Sequence, residues 1–184
     1  MSEFKRSAKK SMRAQLLLAV LMFASAISPC PASEAEDVAL RGLEAMNRNQ
    51  GEQFISVAHP KLIQKFRDMM LARVEKSVAS GSIPKELKDW YGVSSVDEMR
   101  ALPFELVAHI TVDRMSDSEP ARLRQMMRTA QFAVVRSKVL DPDSVLVTIS
   151  VDVGDGRQPK TVDVISRTAD KIWKYWGFPE LAKE

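Results

Sequence analysis

One cysteine, Cys30, and two histidines, His59 and His109, are all that this 184-residue chain offers for disulfide, thiol or imidazole chemistry. The cysteine falls inside an N-terminal stretch that reads as a removable leader. The working domain is therefore expected to hold neither a disulfide nor a reactive thiol, and to rely on its core alone. The histidines stand 50 residues apart with no HxxxH or HxH spacing, which argues against a zinc site. No G-x-S-x-G elbow, phosphate loop or dinucleotide fingerprint occurs. There is no internal repeat, no low-complexity tract and no linker long enough to separate one domain from another. Also missing is the run of ~20 apolar residues that a membrane-spanning helix requires.

The longest apolar run, Leu16 to Ile27, follows Lys5, Arg6, Lys9, Lys10 and Arg13 and precedes Pro29 and Pro31. A basic start, a short apolar centre and a small-residue exit (Ala24, Ser25, Ala26, Ser28, Ala32) are the pattern of a secretory signal peptide. The expectation is a signal peptide over residues 1–32 and a single domain over 33–184, exported to a periplasmic or extracellular space. Lipidation at Cys30 and a retained anchor are the alternatives, and Pro29 directly before the cysteine disfavours the first. The leader holds five of the 27 basic and one of the 24 acidic residues, so the remainder carries 22 and 23 and a net charge of −1. The basic balance of the whole chain thus belongs to the leader and gives no support to nucleic-acid binding.

After the leader the hydrophobic period changes once, from helical spacing to alternation. Ser33 is positioned to cap a first helix with Val38, Ala39, Leu43 and Met46 on one face, and Gly51 to end it. Pro60 suits the first turn of a second helix, with Leu62, Ile63, Phe66, Met69, Met70 and Val74 as its stripe. A short helix from Pro84 should stop at Gly92. Ser95 and Glu98 have capping-box spacing for another. From Pro103 runs a helix apolar on both sides: Phe104, Val107, Ala108, Thr111 and Val112 on one, Leu106 and Ile110 on the other. It should be deeply buried. Ser118 and Pro120 favour a further helical turn.

In the last third, Val145, Val147, Ile149, Val151 and Val153 alternate with Leu146, Thr148, Ser150 and Asp152, as in a half-buried strand. "QFAVVRSKVLD" precedes it, and "KTVDVISR" and "KIWKYWG" follow across short turns, which implies antiparallel pairing. The fold class is therefore α+β: N-terminal helices packed on a curved C-terminal antiparallel sheet.

A leading helix, "NQGEQFISVAHP", more helix, and a sheet closing on "KIWKYWG" resemble the cystatin-like superfamily over residues 34–177. That superfamily includes the SnoaL-like, ketosteroid isomerase-like and nuclear transport factor-like proteins. The resemblance implies a cone-like domain whose sheet wraps the helices around a cavity. It carries no mechanism, because no catalytic tyrosine–aspartate set maps onto this chain. It also departs from the pattern where "KLIQKFRDMMLARVEKS" is helical instead of a pocket-walling loop and strand.

His59, directly before Pro60, is read as a helix cap ahead of a general base. His109 lies one turn after Glu105 among apolar neighbours and is read as a hydrogen-bonded core residue. Asp141, Asp143, Asp152 and Asp155 fit turn chemistry and not a calcium loop. Arg122, Arg124 and Arg128 read as a solvated strip. Met69, Met70, Met126 and Met127 suit core filling more than an adaptable surface. Trp90, Tyr91, His109, Trp173 and Tyr175 are the candidates to wall a pocket or an interface, with Trp176 beside them. No catalytic residue, metal or cofactor is expected. The functional expectation is a non-catalytic exported domain that binds a small apolar ligand or a cell-envelope protein partner, with a homodimer also possible. The alternative is an enzyme of the ketosteroid isomerase or SnoaL type using an acid or base in the cavity.

Overall fold

The computed structural model describes residues 31–81, 85–117 and 119–182. The expected leader, through residue 30, lies outside them, as do Pro84 and Ser118. Among the described residues seven helices come first: α1 (Pro31–Asn47), α2 (Gly51–Val57), α3 (Pro60–Ala79), α4 (Lys85–Asp89), α5 (Val96–Arg100), α6 (Phe104–Arg114) and α7 (Ala121–Thr129). Four strands follow: β1 (Gln131–Asp141), β2 (Ser144–Asp152), β3 (Lys160–Ala169) and β4 (Ile172–Gly177), and then a 3-10 turn over Pro179–Ala182. The strands form one antiparallel meander in the order β1-β2-β3-β4. The domain is α+β.

Local chemistry explains most of the strand connections. Asp141 Oδ1 accepts the Asp143 N–H at 2.8 Å, Asp152 Oδ1 that of Gly154 at 2.8 Å, and Asp155 Oδ1 that of Arg157 at 3.0 Å. These are Asx turns, the role expected of these aspartates. At the β3–β4 hairpin Asp170 and Lys171 both take positive φ, 52° and 64°, which matches the right-handed strand twist.

The helix α1 lies across all four strands. Its face Ala35, Val38, Ala39, Leu43 and Met46 is buried with Val145, Val147 and Ile149 of β2, Val164 of β3 and Tyr175 of β4 in one cluster. The closest approach is at Gly42. A Cβ there would fall 2.6 Å from Cβ and Cδ2 of Tyr175, and nearer still to Cγ. A second cluster lies away from the sheet, where Met70, Leu71 and Val74 of α3 meet Leu87, Tyr91, Val93, Met99 and Val107. The helix α6 belongs to both, through Ala108 and Val112 on one side and Val107 on the other.

Several sequence expectations need correction. The helix α1 begins at Pro31, so Ser33 is not its cap. Gly51 does not end α1. Asn49 takes the left-handed position there (φ 55°), and Gly51 opens α2, buried against α6. Its missing side chain leaves room for His109, and its N–H donates to Asp113 Oδ1 at 2.6 Å. Met69 is 48 % exposed and Leu71 takes its place in the stripe. The α6 helix is not buried all round: Leu106 and Phe104 are exposed, and the Phe104 ring lies under Arg67. Thr148, on the outer face of β2, is buried all the same. Its hydroxyl donates to Asp163 Oδ1 at 2.6 Å and accepts from Arg136 Nε at 3.3 Å, and these cross-strand neighbours cover it. The capping box stands as expected. Ser95 Oγ accepts the Glu98 N–H at 3.2 Å, and the Glu98 carboxylate accepts the Ser94 N–H at 2.7 Å.

The Gly42 contact makes a test of the packing. Helix propensity alone would favour Gly42→Ala by about 1 kcal/mol. Overlap with a buried ring that cannot retreat costs about 1–3 kcal/mol or more. The overlap should win, giving a net loss of stability of up to about 2 kcal/mol in a denaturant titration. A Gly42→Ala protein more stable than the parent would mean that α1 does not rest on Tyr175.

Candidate functional site

The sequence-predicted site residues do not form one constellation. Trp90 and Tyr91 are neighbours after α4, with ring centroids 6.4 Å apart. Only Trp90 reaches a pocket. Tyr91 is buried behind it, its hydroxyl 2.8 Å from that of Thr111, which in turn donates to the Val107 carbonyl at 2.6 Å. His109 is not a core residue. Its side chain is 41 % exposed and pairs with Asp113 at 2.9 Å, one turn on, instead of with Glu105. Because the other oxygen of Asp113 holds the Gly51 N–H, His109 braces the α2–α6 contact.

Trp173 is half-buried near the start of β4 and lines a pocket of about 440 Å³ with Glu34, Asp37 and Arg41 of α1. Tyr175, two residues on, points the same way but is fully buried and lines no such space. Its ring packs edge-on against Phe54 at 6.2 Å, and its hydroxyl has no hydrogen-bond partner among the described residues. Burial pushes the phenol pKa up, so it stays protonated.

The pocket at Trp90 has a volume of about 340 Å³ and sits between α1, α3, α6 and the C-terminal turn. Met46, Met69, Met70 and Met115 wall it together with Phe66, Trp90, Phe178 and Leu181. Its polar side chains are Thr111 and, at the exposed edge, Arg73. Met69 and Met115 are 48 % and 41 % exposed, so flexible thioethers face an open space. A second pocket, of about 390 Å³, shares Phe178 and is lined by Leu43, Met126, Val151 and Val162. The sequence signal for this region is the methionine content, which core filling explains equally well. Periodicity cannot tell Met70, buried at 8 % exposure, from its neighbour Met69. Nothing local marks Met46, Met115 or Phe178, which come from three distant segments. Among the described residues no three His, Cys, Asp or Glu side chains are grouped so as to hold a metal.

His59 anchors the other side of the domain. Its Nδ1 accepts the Lys61 N–H at 3.2 Å, capping α3 as its place before Pro60 suggests. Its backbone N–H donates to the Tyr175 carbonyl at 2.8 Å, and its ring stands edge-on to Trp176 at 4.4 Å. An imidazole that caps a helix through Nδ1 and packs on an indole is a brace.

Burial lowers the His59 pKa below its ordinary 6.5, and Lys61, Arg167 and Lys174 push the same way, against the weaker opposing influence of the Thr168 backbone. The folded state therefore prefers neutral His59. The stability this gives is fully present above the unfolded value of about 6.5 and is lost as pH falls through the lower folded value. His59→Asn keeps a capping oxygen but cannot titrate. Its melting temperature should fall less than the parent's between pH 7.5 and pH 5. Parallel loss in parent and His59→Asn would remove His59 as the source.

No protein-family model matches this chain, and neither the curated proteins nor the solved structures contain a significant match.

Proposed function

We propose that this chain is an exported, non-catalytic domain that binds a small apolar ligand in the methionine- and aromatic-walled pocket beside Trp90. The observation that carries the reading is the exposed pair Met69 and Met115 across a concave apolar space of about 340 Å³. Ligand sites are concave, mostly apolar and at least about 300 Å³, with a few polar groups to orient the ligand; here Arg73 at the exposed edge suits that role. Methionine side chains adapt to different shapes at low cost, which suits a binding wall better than a reaction site. An enzyme of the ketosteroid isomerase or SnoaL type would need a carboxylate or imidazole among the lining residues, and among the described residues the only ionisable side chain along this wall is Arg73. The apolar run after a basic start supports export, and the cystatin-like resemblance agrees with a binding cavity in an α+β domain.

A protein partner is the second reading, and the edge strand β1 favours it. Val135, Val139 and Leu140 are 57 %, 62 % and 47 % exposed there, on a strand with one unpaired side.

The test uses the neutral apolar fluorophore N-phenyl-1-naphthylamine. Its emission should rise on addition of the protein, and Met69→Lys and Met115→Lys should each weaken binding about tenfold or more while melting like the parent, since both side chains are exposed. No rise in emission, or equal binding by both variants, would defeat the reading.

A further inference from the structure

The corner around His59 gathers cations that the apolar pocket does not use. Arg167 of β3 and Lys174 of β4 are direct cross-strand partners. Like charges directly opposite each other destabilise an antiparallel pair, so this position carries an electrostatic cost. No carboxylate among the described residues offsets it. Lys174 Nζ donates to the Ser56 carbonyl at 2.9 Å, and Arg167 makes no ion pair among the described residues; its guanidinium stacks on the Trp176 ring, Cζ 4.7 Å from the centroid. The Arg167 Nε is buried without a hydrogen-bond partner among the described residues. Lys61 adds a third positive charge from the start of α3, and Lys65 lies 5.3 Å from the same indole. The Trp176 ring is itself fully buried, with the guanidinium against its face.

A guanidinium beside an ammonium, neither of them paired with a carboxylate among the described residues, is an arrangement that recognises phosphate oxygens. We propose that Arg167 and Lys174, in the field of Lys61, bind a phosphate group, carried either by a small phosphate ester or by an anionic lipid headgroup. The guanidinium supplies two parallel N–H bonds to two phosphate oxygens, and the Lys174 ammonium a point charge to a third. The bound anion removes the Arg167–Lys174 repulsion that the corner otherwise suffers. The site shares no residue with the pocket beside Trp90, so it stands or falls independently of the apolar-ligand reading.

His59 makes the corner observable. Its imidazole senses the same three cations, so a bound anion should bring its titration back up towards the ordinary value of about 6.5. The experiment follows the two histidine Hε1 resonances by NMR during pH titrations with and without methyl phosphate, against sodium chloride at matched ionic strength. Expected is an upward move of the His59 titration with methyl phosphate and not with chloride. Arg167→Gln and Lys174→Gln should each raise the half-saturating concentration about tenfold or more. If Arg167→Gln does not fold, Lys174→Gln, whose side chain is the less buried by aromatic contact, decides alone.

A parallel sedimentation assay with phosphatidylglycerol and phosphatidylcholine vesicles separates the sources. Co-sedimentation with phosphatidylglycerol alone, lost in the variant, places the phosphate on a lipid headgroup even where methyl phosphate has no effect. Three results overturn the proposal: chloride acting as methyl phosphate does, binding retained in the variant, or no response to either phosphate source.

Discussion

Tyr175 joins three helices to the edge strand β4. Its ring lies under Gly42 of α1 and meets Phe54 of α2 edge-on, while its carbonyl accepts the backbone N–H of His59 at the start of α3. Ala58 and Tyr175 also form a parallel bridge, so the α2–α3 corner continues the sheet by one residue. Burying so large a side chain removes a great deal of apolar surface from water, and the absence of a side chain at position 42 is what allows it. The phenol hydroxyl finds no partner among the described residues, so the residue acts through its ring and backbone.

Once β4 is held in this way, its neighbours have set places. The residues with the parity of Tyr175 turn inward or towards α1, which puts Trp173 beside the start of α1. Those of opposite parity, Lys174 and Trp176, turn to the other face. There Trp176 would be exposed but for His59, Lys65 and Arg167 gathered over it. Just past the strand, Phe178 leaves the sheet and borders both apolar pockets. An apolar recess and a cationic corner thus arise from successive residues of one short strand.

What the sequence disclosed was decided by near neighbours. The alternation of Val145, Val147 and Ile149 marks a strand with one face on a core, because a period of two has no other simple cause. His59 before Pro60, Ser95 before Glu98 and the turn aspartates each satisfy a backbone group within a few residues. Where a partner is distant, local pattern misleads. Gly51 resembles a helix terminator, yet its lack of a side chain answers to His109 and Asp113 on another helix. His109 has a carboxylate four residues away on either side, and only the position of Gly51 favours Asp113 over Glu105. Thr148 has the pattern of an exposed residue and is covered by Arg136 and Asp163 from the two flanking strands. The pocket wall was the least legible region, since its methionines come from α1, α3 and the end of α6. A core methionine and a lining methionine are the same letter.

The central functional claim is that an apolar ligand occupies the recess beside Trp90. The most direct measurement is ¹³C-methyl methionine NMR of the protein during titration with an apolar probe. Met69 and Met115 border the recess, whereas Met99 is fully buried in the second cluster. The account predicts that the Met69 and Met115 methyl resonances move together with a single saturation curve while Met99 stays still. A response at Met99 without one at Met69 and Met115, or no response at any methionine, would contradict it.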